Sequence, residues 1–339
     1  MLEKIKQFLE VEKVPKFRVK QLDDMIWKNF MINFNDMTNF NKDLREKLIN
    51  QFGESVCDLK YLSEHKTADT VKFVLETLDG NVIETVLMIH EDGRRTVCVS
   101  SQIFCALGCK FCATGANKYK RNLTKDEILA QVMFVNDYLR KNEVGKKVTN
   151  VVYMGMGEPF LNYINVKSSI LDLNNPDLFN IGARHITVST SGIVPRIYEF
   201  IDIGIQVRLA ISLHAPNDEL RSELMPINEK YPLKELFEAL DTFVEKNNKR
   251  VSYEYVLINE INDTEKCARE LVRLLRNRLS HVNLLVYNPH PFADYTSPSK
   301  TRVLNFKRIL DDAGIECSIR RSMGDDISGA CGQLAGKKD

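Results

Sequence analysis

The stretch Ser100-Ser101-Gln102-Ile103-Phe104-Cys105-Ala106-Leu107-Gly108-Cys109-Lys110-Phe111-Cys112-Ala113-Thr114-Gly115 carries three cysteines at C-x3-C-x2-C spacing. Three thiolates on so short a loop can hold one metal ion or one cluster. A cubane iron–sulfur cluster normally takes four cysteine thiolates. Three leave one iron open to a small molecule that offers an amine and a carboxylate. A structural zinc site is the competing reading. Zinc wants four protein ligands, often as two separated pairs, and no second cysteine or Cys/His pair lies nearby. Buried free thiols are the plainest alternative.

On the N-terminal side of the loop the hydrophobic period is two. Val71, Phe73 and Leu75 alternate with polar residues, Asp79-Gly80 turns the chain, Val82 to Ile89 follows, and Asp92-Gly93 turns it again before Thr96 to Ser101. Asp-Gly pairs between apolar runs are strong hairpin signals, so a β-meander delivers the cysteine loop. It also carries Glu84 and Cys98. Earlier still, Phe17–Leu22, Met25-Ile26-Trp27 and Phe30 recur at helical spacing, and Leu44–Ile49 predicts a further helix ending near Gly53. Residues 1–62 are therefore expected as a helical accessory unit, 63–93 as a β-hairpin extension and 94–339 as the core.

On the C-terminal side strands and helices alternate. Thr124-Lys125-Asp126-Glu127 fits a capping box opening a helix to about Arg140. Strand candidates follow at 148–154, 185–190, 207–213, 251–258 and 282–287, with helical patterns at 232–246, 264–277 and 300–313. Repeated strand–helix units imply an α/β protein with a parallel sheet, and this many imply a full or partial barrel. In such barrels chemistry gathers at the C-terminal ends of the strands. There the sequence puts the cysteine loop, Gly155-Met156-Gly157-Glu158-Pro159, Ser189-Thr190-Ser191-Gly192, Ser212-Leu213-His214 and Asn288-Pro289. Each has a plain alternative: turn glycines, a helix-start carboxylate at Glu158, capping serines, a structural histidine, a turn asparagine.

Composition sets the outer bounds. The 339 residues are 44% hydrophobic and 27% charged, as in a globular protein with one large domain and an accessory one. No apolar run reaches membrane-spanning length, and the N-terminus has no apolar signal core, so a cytoplasmic protein is expected. Net charge is +1, but from Arg94 through Lys125 there are seven Lys or Arg and no Asp or Glu. Lys118, Lys120 and Arg121 are the densest part of that stretch. A solvated face is the ordinary explanation; beside a cluster, a phosphate backbone is the alternative. Eight cysteines in a chain without a secretory signal favour metal or catalysis over a disulfide frame. Beyond the loop, Cys331 stands in a glycine-rich, polar tail, where a reactive thiol competes with a packed one. Cys98 lies seven residues before Cys105. Cys57, Cys267 and Cys317 read as structural.

Together, Cys98-Val99-Ser100-Ser101-Gln102, the cysteine loop, Met154–Pro159, Thr187–Gly192, Ser212–Asp218 and Ala330-Cys331-Gly332-Gln333-Leu334 closely resemble the RlmN family of radical S-adenosylmethionine enzymes, over nearly the whole chain. The resemblance implies a partial (β/α)6-type radical SAM barrel with a small N-terminal helical domain and a β-meander leading into it. It implies a [4Fe-4S] cluster on Cys105, Cys109 and Cys112, and S-adenosylmethionine contacts from Gly157, Glu158, Ser189, Ser212, Leu213, His214 and Asn288. It makes Cys331 the methyl-carrying cysteine, Glu84 the proton acceptor, and Cys98 the thiol that closes the cycle through a transient disulfide. The implied reaction methylates adenine C2 in 23S ribosomal RNA and in tRNA, with Lys118, Lys120 and Arg121 expected on phosphates. A flavodoxin-type electron donor and a monomer are implied as well. The chain departs from the family at Phe104, where glycine is common. A Cfr-like enzyme acting on C8 of the same ribosomal adenosine shares the cluster and both thiols; Pro159 after the Gly-Glu pair favours C2. A non-catalytic iron–sulfur or zinc RNA-binding protein would need neither Glu158 nor Cys331.

Overall fold

The computed structural model describes residues 1–142 and 147–336; the last three residues of the expected core, 337–339, lie outside them. Three helices open the chain: α1 (Leu2–Val11), α2 (Lys16–Trp27) and α3 (Lys42–Phe52). Asn41 caps α3 by accepting from Leu44 N at 2.9 Å. The helices bury Leu9, Leu22, Met25 and Leu48 and are tied to the core. The Trp27 ring meets Phe179 at 5.1 Å, and Arg140 bridges Asp36 and Asp137.

The meander follows as β1 (Leu59–Lys66), β2 (Thr70–Thr77), β3 (Val82–Ile89) and β4 (Arg95–Cys98), each antiparallel to its neighbour. β1 begins inside the expected helical unit. Its residues, Leu-Lys-Tyr-Leu-Ser-Glu-His-Lys, have no clean period of two because it is an edge strand, largely solvated. The two-residue strands β5 (Gln102–Ile103) and β6 (Arg121–Asn122) pair across the cysteine loop.

The core alternates as expected: α4 (Lys125–Asn142), β7 (Asn150–Tyr153), α5 (Tyr163–Asn174), β8 (Ile186–Thr190), α6 (Val194–Ile201), β9 (Arg208–Ser212), α7 (Asp218–Leu224), α8 (Ile227–Lys230), α9 (Leu233–Asn247), β10 (Val251–Leu257), α10 (Glu265–Leu275), β11 (Ser280–Val286), α11 (Lys300–Asp312) and β12 (Cys317–Arg320). The capping box is made in both directions: Thr124 Oγ1 accepts from Glu127 N at 3.1 Å and Glu127 Oε2 accepts from Thr124 N at 2.8 Å. Among the described residues one sheet runs β1-β2-β3-β4-β7-β8-β9-β10-β11-β12. From β4 through β12 every pairing in it is parallel. The sheet order does not close, so its parallel part is a partial barrel. β12 is an additional parallel strand that the hydrophobic pattern does not reveal, being short and half exposed.

Strand faces divide the labour. On β10, Tyr253 and Tyr255 are buried against the helices, stacking near Phe237 (5.6 Å) and Phe306 (5.3 Å). Glu254 between them points the other way and aligns with Ser212 on β9 and Asn283 on β11. Its carboxylate accepts from Asn283 Nδ2 at 2.7 Å. The inner face is thus a polar row, and the loops that follow the strands close over it.

Candidate active site

The cysteine loop is held by backbone bonds from several remote segments. Lys110 N donates to Leu224 O at the end of α7 (3.0 Å), Ala113 N to Gly332 O (2.7 Å), and Thr114 Oγ1 to Leu334 O (2.7 Å). The loop and the C-terminal tail are therefore one assembly. Phe104 sits at φ +60°, the left-handed conformation a glycine adopts freely and a bulky residue does not. Its ring lies under Lys120 Nζ, 5.9 Å from the centroid.

Burial pushes the Cys105 thiol up to about 12 and Cys109 well above its ordinary value, and neighbouring cysteines of the same loop add to both. Crowded thiols that resist ionisation alone are suited to a polycationic centre, which reverses that preference. Among the described residues no three His, Cys, Asp or Glu side chains converge on a single ion. Three thiolates are one short of the four protein ligands a structural zinc takes, whereas a cubane held by three keeps one iron open, so the donor set fits a cluster better than mononuclear zinc.

The other expected residues line the adjoining strand ends. Gly157 has φ +97°, and a Cβ there would overlap Gln102 Cβ. Only glycine permits this approach of the Gly155–Pro159 turn to Gln102, at the start of the cysteine loop. Glu158 is buried; Oε1 accepts from Phe160 N at 2.9 Å and Oε2 from Ser191 N at 2.8 Å. Burial raises its pKa against those bonds. It caps the turn after β7, as the plain reading held, and ties that turn to the end of β8. Ser189 and Ser212 hydroxyls face each other at 3.5 Å. Leu213 is buried, and its backbone is engaged: N donates to Glu254 O (3.0 Å) and O accepts from Arg221 Nε (3.2 Å). His214 Nδ1 accepts from Val256 N at 3.0 Å. That bond requires an unprotonated Nδ1, leaving the proton on Nε2. Burial, then the Arg221 charge, lowers the imidazole to about 3. Its ring meets Phe111 of the cysteine loop edge-on at 4.8 Å. Asn288 Nδ2 donates to Cys331 O at 3.3 Å.

The three expected reaction residues come from β3, β4 and the tail. Glu84 is buried, with Oε2 accepting from Ala335 N (2.7 Å) and Gly336 N (2.8 Å) and Oε1 paired with Lys72 Nζ at 3.2 Å. Cys98 is buried, and burial raises its thiol, with the Cys331 thiol as the next contributor. Cys331 is exposed to solvent on the C-terminal tail. Burial pushes its thiol up to about 11, Glu254 adds to that, and Arg320 opposes it. All eight cysteines are free thiols in this structure.

The basic triplet divides. Arg121 is clamped between Asp79 and Glu127, each bonded through both carboxylate oxygens at 2.7–2.8 Å. Lys120 reaches Asn81 Oδ1 at 2.7 Å from an exposed position, and Lys118 is exposed. Arg121 thus staples the β2–β3 turn to the start of α4.

Several residues that organise the site carried no signal in the sequence. Gln131 on α4 accepts from Thr85 Oγ1 (2.7 Å) and Ser100 N (2.8 Å) and donates to Ser100 O (3.0 Å). Asn162 bridges Ser101 O and Leu123 O, both at 2.7 Å. Lys72 reads as an outward polar residue of an alternating strand. Arg221 sits in a helix of ordinary polar pattern.

A parallel α/β sheet whose strand ends surround a C-x3-C-x2-C loop defines a radical SAM protein. The radical SAM superfamily model matches residues 99–275, and the model of the ribosomal RNA large subunit methyltransferase N-terminal domain matches 1–52. A probable dual-specificity RNA methyltransferase RlmN of Dictyoglomus thermophilum is 44% identical over 98% of this chain and 94% of its own length. The Enterococcus faecalis protein described in the same words is 46% identical over 95% and 91%. The crystal structure of a radical SAM methyltransferase from Sphaerobacter thermophilus superposes with a TM-score of 0.91 at 44% identity, covering 99% of this chain and 98% of that one. The chain belongs to the RlmN family of radical SAM RNA methyltransferases.

Proposed function

We propose that this enzyme methylates C2 of adenosine in 23S ribosomal RNA and in tRNA, through a methyl group carried on Cys331. The observation that supports the reading is that the C-terminal tail carrying Cys331 is bonded to the cysteine loop at Ala113 and Thr114 and to Glu84 on β3. The Glu84 carboxylate is bonded to the backbone of Ala335 and Gly336, a few residues beyond Cys331. After burial, the neighbouring Cys331 thiol is what most disfavours ionisation of Cys98.

Cys105, Cys109 and Cys112 would hold the [4Fe-4S] cluster, and Gly157, Glu158, Ser189, Ser212, Leu213, His214 and Asn288 would hold S-adenosylmethionine. Bound there, the pair supplies a methyl cation equivalent and, after one-electron reduction from a flavodoxin-type donor, a hydrogen-abstracting radical. Adenine C2 is not nucleophilic, so direct methyl transfer fails and the methyl must first sit on the protein. The Cys331 thiolate would take it by displacement at the methyl carbon, with S-adenosylhomocysteine leaving, and the resulting S-methyl group would give up one hydrogen atom before its carbon bonds to C2. Glu84 accepts the C2 proton once the new carbon–carbon bond exists. The Cys98 thiolate then attacks Cys331 Sγ, the bond from that sulfur to the methylene carbon breaks, and the carbon takes a proton to become the methyl group as the two sulfurs join. Glu158, neutral His214 and the paired serines orient the cosubstrate and keep water out of the inner face.

The test is mass spectrometry of adenosine from 23S rRNA and tRNA after reaction. The expected product is 2-methyladenosine; an 8-methyl product would make the enzyme Cfr-like and overturn the C2 assignment. Cys98→Ala should stall after carbon–carbon bond formation and leave a covalent protein–RNA adduct on a denaturing gel. Its formation should require S-adenosylmethionine and Cys331. Normal turnover without adduct would return Cys98 to a packed thiol.

A further inference from the structure

Arg221 is a fully buried arginine, and every hydrogen bond it makes goes to an uncharged acceptor. Nε donates to Leu213 O (3.2 Å), Nη1 to Asn228 Oδ1 (2.8 Å), and Nη2 to Ser191 O (2.6 Å) and Ser212 O (3.2 Å). Asp218 is linked to it through Asn228, whose amide donates to Asp218 Oδ1 at 2.9 Å. Removing a guanidinium from water without a directly bonded counter-ion is costly, and folds keep such a charge when something anionic belongs beside it. The surroundings say what that is. One turn after Arg221, Leu224 O accepts from Lys110 N at 3.0 Å, and Cys109 and Phe111 pack against the small apolar cluster of Leu224, Met225, Ile258 and Tyr287. Burial draws the guanidinium down to about 10, with Cys109 and then Asp218 opposing it.

We propose that Arg221 is a positioning residue with two separable roles: its fork ties together the ends of β8 and β9 at Ser191, Ser212 and Leu213, and its charge is the buried counter-charge of the anionic cluster on the neighbouring loop. The proposal rests on Cys105, Cys109 and Cys112 being the cluster ligands. The first role follows from geometry. Those carbonyls belong to the strand ends where cosubstrate is expected, and Glu158 grips the same Ser191 from its N–H side. The planar fork spans three carbonyls at once, which an ammonium cannot do. The second role follows from Coulomb's law. Reduction adds negative charge to the cluster, and a fixed positive charge in a low-dielectric interior favours it. Removing that charge must make the cluster harder to reduce.

The test compares Arg221→Lys, Arg221→Gln and Arg221→Met in anaerobically reconstituted protein. Iron content is assayed first; then the midpoint potential is measured by EPR-monitored titration, and S-adenosylmethionine binding separately. Arg221→Lys keeps the charge and should hold the wild-type potential while binding S-adenosylmethionine more weakly. Arg221→Gln and Arg221→Met should carry full iron at a more negative potential. Arg221→Gln retains N–H donors for Ser191 and bears the test if the methionine variant does not fold. A wild-type potential in iron-replete Arg221→Gln overturns the counter-charge, and unchanged binding in Arg221→Lys overturns the clamp. Alanine variants of Cys105, Cys109 and Cys112 separate the two levels. If they keep their iron, the ligand assignment has failed and this proposal with it; if they lose iron while Arg221→Gln keeps its potential, only this proposal has failed.

Discussion

Lys72 and Glu84 form an ion pair with almost no solvent, their side chains 8% and 5% exposed. Removing one partner of such a pair strands the other's charge, which typically costs about 3–5 kcal/mol. Here the Glu84 carboxylate would keep the Ala335 and Gly336 amides. Lys72→Met is therefore expected near the lower end, at about 3 kcal/mol of unfolding free energy. Lys72→Met combined with Glu84→Gln should recover most of that loss, because no charge is then left buried. A denaturant-unfolding double-mutant cycle checks it, and a single variant within about 0.5 kcal/mol of wild type, the ordinary range of surface changes, would refute the pairing. Lys72 also shows where reading by period reaches its limit. Apart from Val74, the residues between and beside Val71, Phe73 and Leu75 are polar, which predicts one largely solvated face, yet nearly all of β2 is buried. The second face is covered by the C-terminal tail: a Cβ at Gly329 would lie 3.5 Å from Lys72 Cβ. Nothing local in β2 announces a segment about 250 residues away.

Among the elements, those with local causes were legible. The two Asp-Gly turns, the Thr124–Glu127 capping box and the apolar strand runs each act within a few residues, and the meander, α4 and the strand ends follow from them. Arg221, Gln131 and Asn162 were not legible, because their partners are backbone groups of remote strands that only the finished fold assembles. The turn after β7 lies between these cases. Its glycines read as ordinary turn chemistry, but at Gly155 the constraint is approach to another strand. A Cβ there would sit 2.7 Å from Val99 O and 2.8 Å from Ser100 N, backbone atoms that lead into the cysteine loop. Neither can rotate aside as a side chain would. Gly155→Ala should cost roughly 1–3 kcal/mol or more by overpacking. It should also displace the Gly157–Glu158 turn and weaken S-adenosylmethionine binding. Calorimetric binding and thermal melts check the two effects. A variant with wild-type affinity and stability would show that β4 and β7 have slack the structure does not suggest.

At the scale of the whole molecule, the near-zero net charge hides an uneven field, and its most basic stretch is where RNA contact is expected. The stretch from Arg94 to Lys125 is entirely positive, but its cations are not equivalent in the fold. Both carboxylates on Arg121 draw its charge inward: the guanidinium is held more firmly protonated by Glu127 and then by Asp79, and Asp79 is held ionised by Arg121. Lys118 and Lys120 are exposed beside it. Counterion release makes each phosphate contact worth about 0.7–0.9 units of log–log salt slope, depending on strandedness. Lys118→Gln with Lys120→Gln should therefore weaken RNA binding most at low salt and flatten the slope by roughly 1.5 units if each lysine meets one phosphate. Arg121→Gln should behave differently. It releases Asp79 from Glu127 and loosens the β2–β3 turn, so it should lower the melting temperature with little change in slope. Filter-binding isotherms across a salt series, with melts of the same proteins, separate the two outcomes. A slope unchanged in the double lysine variant would return those residues to a solvated face. A slope that falls only with Arg121→Gln would mean that RNA opens the Asp79–Arg121–Glu127 clamp, and that the staple is itself part of the binding surface.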